Sequence, residues 1–243
     1  MRAKIQGKNA IKKYYQDEEV ASKYIDQRYS SSFGKLEHEL ECMAINSLLA
    51  QIRPDKILDL AAGTGRVASC LRHYKQGFAI DTSREMLNAA KPLLKGWALK
   101  TGDAFNIPFR NNCFEAIIST RFIWYFDKAE RKALFKAIHS KLNAHGFLIF
   151  DAPNAKVPRF VPEKARIGKK RIYTQSWAIS ALEKELRANG FGISAVKPIS
   201  RNAELLHRIS EQTDSVLSYC VMKLINRLSR KEPYTYIILA RKI

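Results

Sequence analysis

The chain has 243 residues, 46% of them apolar, with 42 Lys and Arg against 23 Asp and Glu, a formal net charge of +19. That length suits one well-cored α/β domain with elaborations and is short for two. Cys42, Cys70, Cys113 and Cys220 lie far apart without a C-x-x-C pair, which argues against a disulfide framework or a zinc site and for four reduced core residues. No stretch reaches the ~20 apolar residues of a membrane span, and the basic start Met1-Arg2-Ala3-Lys4 leads into no apolar segment, so a cytoplasmic protein is expected. The charge attracts nucleic acid, anionic headgroups, phosphorylated small molecules or acidic carriers without choosing among them, and it fits a general solubility bias equally.

In chain order, residues 1–13 carry five basic residues and no acid, so their start is expected to fray and the rest to begin a helix. Val20, Tyr24, Arg28 and Tyr29 have helical spacing, and Leu36 to Ile52 reads as a second helix that Pro54 ends. Ile57-Leu58-Asp59-Leu60 reads as a short buried strand running into the small-residue turn Ala61-Ala62-Gly63-Thr64-Gly65, with a helix from Arg66 to Arg72. Glycine lets a ligand approach such a turn closely, and a following helix would present free N–H groups.

Phe78 to Ile80 is a second strand ending in Asp81. Thr82-Ser83-Arg84-Glu85 looks like a capping box with Thr82 as N-cap, opening a helix to about Leu93. Trp97 to Lys100 and Phe114 to Ser119 are further strands; Asp127 with Glu130 caps a helix bearing the stripe Leu134, Ile138 and Leu142, and Gly146 to Phe150 follows as the fifth strand. Ala152 to Tyr173 holds three prolines and seven basic residues against one acid, a long basic loop. Ser176 to Asn189 is a helix closed by Gly190, Phe191 to Ile199 a strand, residues 203–229 an amphipathic helical insertion, and Tyr234 to Ala240 the last strand. Alternating strands and helices mean βαβ units around a parallel sheet.

Gly63-Thr64-Gly65-Arg66-Val67-Ala68 fits G-x-G-x-x-[GA], which alone would also suit a dinucleotide. Three strand-end acids sharpen it: Asp59 beside the turn, Asp81, whose spacing suits ribose hydroxyls, and Asp103 after the third strand. Asp59 has the wrong sign to accommodate a pyrophosphate and the right one for a cation. S-adenosylmethionine, with its ammonium and sulfonium, satisfies that requirement.

With these motifs, and with Gly102-Asp103-Ala104-Phe105-Asn106-Ile107-Pro108-Phe109 and Phe114-Glu115-Ala116-Ile117-Ile118-Ser119, residues 20–151 resemble the class I S-adenosylmethionine-dependent methyltransferases, in particular the ubiquinone-biosynthesis-like small-molecule group. Ala61 replaces that family's more usual glycine, a small-for-small change expected to fit. The resemblance implies a Rossmann-like seven-stranded, mostly parallel sheet with helices on both faces and an antiparallel C-terminal strand. It implies a single domain over 1–243, with a helical cap (1–52), a cofactor-binding core (53–151), the basic loop (152–173) and the insertion (203–229). By the same resemblance Asp59, Ala61, Gly63 and Gly65 contact the methionyl part, Asp81 the ribose, Thr82 and Met86 its adenine flank, and Asp103 with Ala104 the adenine edge, while Ser119 lines the site. Met86 reads equally as core and Asp103 as a loop acid.

On the acceptor side, Arg121 could hold a carboxylate or phosphate or form a structural salt bridge, and Trp124 and Tyr125 are wall or core residues; Arg121 and Tyr125 are the catalytic candidates. The basic loop leaves strand five near the acceptor, so with the N-terminal helices it is expected to favour an anionic or carrier-linked acceptor. His38, His73, His139, His145 and His207 are scattered and read as surface or packing residues. No [DNS]-P-P-[YF] motif, paired catalytic cysteines or appended RNA-binding module is present. Three functions remain: methylation of a small molecule, on oxygen for preference; methylation of RNA or DNA through the basic surface; and non-catalytic cofactor binding. The insertion could cover the acceptor, mediate a dimer, touch a membrane peripherally or pack on the sheet edge.

Overall fold

A computed structural model describes residues 4–5, 7–16, 30–157 and 171–243 of the chain. Strand β1 (Lys4–Ile5) and helix α1 (Lys8–Tyr15) are followed by α2 (Ser32–Ile52), β2 (Lys56–Leu60), β3 (Gln76–Asp81), α3 (Arg84–Ala90), β4 (Ala98–Thr101), β5 (Phe114–Ser119), α4 (Lys128–Lys141) and β6 (Leu142–Pro153). Then come β7 (Arg171–Ile172), α5 (Ile179–Arg187), β8 (Phe191–Arg201), α6 (Ala203–Gln212), α7 (Val216–Leu228) and β9 (Pro233–Lys242). The helix expected over Val20 to Tyr29 and most of the basic loop fall outside the described residues.

The main sheet has seven strands in the order β4-β3-β2-β5-β6-β9-β8. Strands β2 to β6 are mutually parallel, and β9 is inserted antiparallel between β6 and β8. All seven expected strands are present, and the sheet is the expected mixed, mostly parallel one. Side-chain alternation sends Leu58, Leu148, Phe150 and Ile238 to one face, under Leu134 and Phe135 of α4 and Leu182 of α5. Ile57, Ile149 and Ile237 go to the other, under Ile45, Leu48 and Leu49 of α2. A bulge between Phe114 and Ala116 shifts the phase, so Phe114 and Ile117 share a face.

Local chemistry explains the helix boundaries. Asp127 and Glu130 form the expected reciprocal capping box on α4. On α3 the N-cap is Ser83 rather than Thr82: the Ser83 hydroxyl accepts the Met86 N–H at 3.1 Å, while Thr82 faces a cleft. Near the start of the chain, Lys4 and Ile5 of β1 pair parallel with Arg171 and Ile172 of β7.

The segment after the glycine turn differs most from expectation. In place of a helix from Arg66 to Arg72 there is a single 3-10 turn at Ala68–Cys70. Asn46 of α2 is the cause: its amide donates to the Cys70 carbonyl at 2.9 Å and accepts the Arg72 N–H at 2.7 Å, capturing the backbone groups a longer helix would need. The same packing brings Cys42 of α2 to Cys70, with Cα atoms 6.1 Å apart, and the two form a disulfide. The expectation of four reduced core cysteines is therefore corrected: Cys113 is half-buried and Cys220 is exposed. Asn46→Ala should remove both backbone partners and lower stability by about 1–3 kcal/mol, measurable by urea denaturation.

Candidate active site

In a parallel sheet the loops after the carboxyl ends of the strands share one edge, and the cleft of this protein lies there. It offers about 790 Å³ of space continuous with solvent. Ala61, Gly63, Asp81, Thr82, Met86, Gly102, Asp103 and Ala104 line one side; Thr120, Arg121, Phe122 and Phe126 follow β5; and Lys8, Lys12 and Tyr15 reach in from α1.

The turn after β2 is built for close approach. Gly63 is left-handed, with φ +56°, and a Cβ there would meet nothing within 4 Å, so this backbone faces open space. Gly65, at φ +74°, faces inward, where a Cβ would lie 2.9 Å from Leu94 and 3.0 Å from Ala90. It therefore seats the turn on α3 and does not line the cleft. Ala61 fits, but at φ +60°, a conformation that costs an alanine ~1 kcal/mol where glycine is unstrained.

Asp81 receives the Gly63 N–H at 2.8 Å and the Ser83 N–H at 2.9 Å, one on each carboxylate oxygen, so it is oriented toward the cleft from two sides. Burial nevertheless raises its pKa against those bonds. Asp59 lies beneath the turn, 2% exposed, and does not line the cleft. Its Oδ2 is buried without a hydrogen-bond partner. Burial pushes its carboxyl up to about 7, with Arg66 opposing and Asp81 adding to the rise. Two buried acids of raised pKa beside a glycine turn make a site complementary to a cation. Asp103 is half-exposed and held on both sides, by the Phe105 N–H at 2.9 Å and the Lys12 ammonium at 3.2 Å.

Several sequence candidates take other positions. Ser119 is fully buried, and its hydroxyl donates to the Leu60 carbonyl at 3.0 Å, tying the ends of β2 and β5 together beneath the cleft instead of lining it. Tyr125 is also buried and reaches the cleft only through Tyr15, whose hydroxyl lies 2.9 Å from its own. Arg121 stands at the cleft wall with its guanidinium directed into the fold, 3.2 Å from Glu37 and 3.0 Å from Glu41. Its charge is thus neutralised within the protein, as in the salt-bridge alternative. None of the five histidines lines the cleft.

Other contributors were not evident from the sequence. Glu41 of α2 is 1% exposed and bridges Arg121 and Arg66, the latter at 2.8 Å. Burial works against its ionisation, but Arg121 and Arg66 outweigh it and hold its carboxyl below the usual range. Asp151 at the end of β6 accepts the Arg121 N–H at 2.7 Å and the Trp124 indole N–H at 2.8 Å; burial, reinforced by Glu41, pushes it up to about 6. As a further strand-end acid it was available to the logic that found Asp59 and Asp81; Glu41, buried in the middle of a helix, carried no such signal. Glu41→Ala should remove the carboxylate that Arg66 and Arg121 share, leaving Arg121 with Glu37, and cost about 3–5 kcal/mol, read from chemical denaturation of the variant against the parent.

Residues 57–146 match the family profile described as a methyltransferase domain. A demethylmenaquinone methyltransferase from Thermotoga maritima is 32% identical over 105 residues, 42% of this chain and 45% of that protein, so the chain matches less than half the length of this curated relative. Among solved structures, magnesium protoporphyrin IX methyltransferase from Synechocystis, with bound S-adenosylmethionine, superposes with a TM-score of 0.62 over 97% of this chain and 96% of that one at 13% identity. An S-adenosylmethionine-dependent methyltransferase from Clostridium acetobutylicum gives 0.59 over 92% and 96% at 17% identity. These structural likenesses establish the fold. The Synechocystis structure holds S-adenosylmethionine, and here the open backbone at Gly63, the two-point support of Asp81 and the unpartnered buried oxygen of Asp59 fit a cationic nucleoside of that kind. Over residues 57–146, therefore, the chain matches a methyltransferase domain, and its sheet order and acid-flanked glycine turn give that stretch the fold of the solved methyltransferases.

Proposed function

We propose that this protein transfers a methyl group from S-adenosylmethionine to an oxygen of a small, anionic acceptor, free or carrier-linked. One observation carries the reading: a single cleft is lined both by strand-end acids with the glycine turn and by lysines with aromatic rings. Asp81 would accept the ribose hydroxyls, Met86 and Ala104 would flank the adenine, and Ala61 and Gly63 would face the methionyl group above Asp59. When bound, the cofactor supplies a methyl group already activated by positive sulfur, so the protein's task is mainly to position the acceptor and exclude water.

On the acceptor side Phe105, Phe122 and Phe126 make an apolar wall, Phe105 and Phe126 meeting edge to face at 5.1 Å. Lys8 lies 5.3 Å over the Phe105 ring, and Lys12 stands across Asp103, so an acceptor carboxylate or phosphate would meet cationic groups at the rim of an aromatic pocket. Tyr15, held by Tyr125, is the hydroxyl placed to take a hydrogen bond from an acceptor oxygen. The name of the Thermotoga relative supports including quinone-type rings among the acceptors tried. The basic surface supports nucleic acid as a second reading, distinguished by binding that falls steeply with salt.

Titration calorimetry should detect S-adenosylmethionine binding, and no binding would exclude both readings. Burial raises the folded Asp59 carboxyl to about 7 from its ordinary 3.8, so between those values the native state holds a proton the unfolded chain has lost, and stability falls as pH rises. A cation beside Asp59 favours its ionised form, so donor affinity should rise with pH up to about 7, by at most roughly tenfold per unit, and then level off. Asp59→Asn should bind more weakly and show a flattened profile by the same calorimetry. In a methyl-donor screen over phenols, acids, quinones, acyl-carrier thioesters and RNA, the accepted acceptor's KM should rise roughly tenfold or more in Lys8→Glu/Lys12→Glu, an effect of more than ~1 kcal/mol.

A further inference from the structure

Helix α7, between β8 and β9, buries one face and leaves the other without a partner among the described residues. Met222 is fully buried with Leu36 of α2 and Leu206 of α6, and Tyr219 and Ile225 pack beside them. The Tyr219 hydroxyl and the Lys223 ammonium both bind Glu39 of α2. The orientation of α7 is therefore set by its inner face. Outward stand Val216, Leu217, Val221, Leu224 and Leu228, between 41% and 82% exposed. At ~100° per residue Leu217, Val221, Leu224 and Leu228 fall within an arc of ~60°, an apolar stripe, with Val216 set apart from them beyond Arg227.

We infer that this stripe is a docking face for an anionic membrane surface. Charge complementarity decides the occupant. Residues 216–231 contain Lys223, Arg227, Arg230 and Lys231 and no acid, on a chain of net charge +19. Arg227 lies along the margin of the stripe, and Arg230 and Lys231 continue from its end. An apolar face bordered by cations is the pattern that inserts into a headgroup layer while its charges meet anionic lipid. A second copy would bring Arg227, Arg230 and Lys231 against the same three residues, Lys223 being held by Glu39. A 13-residue helix is also only ~20 Å long, and one face of it falls far short of the ~800 Å² per partner of a stable interface.

Topology adds a consequence. Strand β8 is antiparallel to β9, which is antiparallel to β6, so β8 runs with the parallel strands and its end at Arg201 opens onto the same sheet edge as the cleft. Helices α6 and α7 leave from that end. A membrane held by α7 therefore lies toward the edge on which the cleft opens, at the opposite end of the strand order from β4.

The full-length protein should be co-sedimented with phosphatidylcholine vesicles and with vesicles of 70% phosphatidylcholine and 30% phosphatidylglycerol, at low and high salt. Binding should be at least tenfold stronger to the anionic vesicles and weaken with salt. Leu217→Glu/Leu224→Glu and Arg227→Glu/Arg230→Glu should each reduce it at least tenfold with unchanged circular dichroism, since the substituted side chains are exposed. Equal binding to both vesicles, binding to neither, or binding unaffected by either pair would overturn the proposal. So would light scattering showing a dimer that Leu217→Glu/Leu224→Glu dissolves.

Discussion

The carboxylate of Glu41 is the interaction on which the rest of the site depends. It is buried in the middle of α2, between an arginine that follows the glycine turn and another that follows β5. An unpaired carboxylate there would be prohibitive, so Glu41 and the two arginines hold one another in place. Because Arg66, Glu41 and Arg121 belong to three separate stretches of chain, this one carboxylate fixes the glycine turn to the cleft wall that follows β5. Asp151 continues the arrangement by holding the Arg121 backbone and the Trp124 indole.

Helix α2 acts on the turn in a second way. Asn46 ends the helix expected after Gly65, and Cys42 is bonded to Cys70 within the same short segment. A longer helix would have offered a row of backbone N–H groups to an anion. What stands there is a compact turn flanked by buried carboxylates, one of whose N–H groups is already taken by Asp81. The local field is therefore set by acids, the appropriate polarity for a donor whose reactive end is positive.

Basic residues are divided between two roles. Arg66, Arg121 and Arg131 are drawn inside and paired with Glu41, Glu37 and Glu185. Others stay outside, at the cleft rim through Lys8 and through Lys12, which faces Asp103, and along α7 through Arg227, Arg230 and Lys231. A count of charges alone could not separate these groups, because pairing depends on which acids the fold brings near.

Patterns with short reach were legible in the sequence by itself. The apolar runs located all seven strands, the acid-ended strand with its glycine turn marked one wall of the cleft, and Asp127 with Glu130 marked a helix start, because each depends on neighbours a few residues away. The cap at Ser83, the truncated turn at Ala68–Cys70, the disulfide and the inward roles of Ser119 and Arg121 were decided only by tertiary structure. In each case the partner lies elsewhere or the choice is between adjacent groups: Asn46 for Arg72, Cys42 for Cys70, Leu60 for Ser119, Glu37 and Glu41 for Arg121, and the cleft for Thr82. A buried polar group takes whichever partner packing delivers, and packing is a property of the whole sheet and its helices rather than of the local chain.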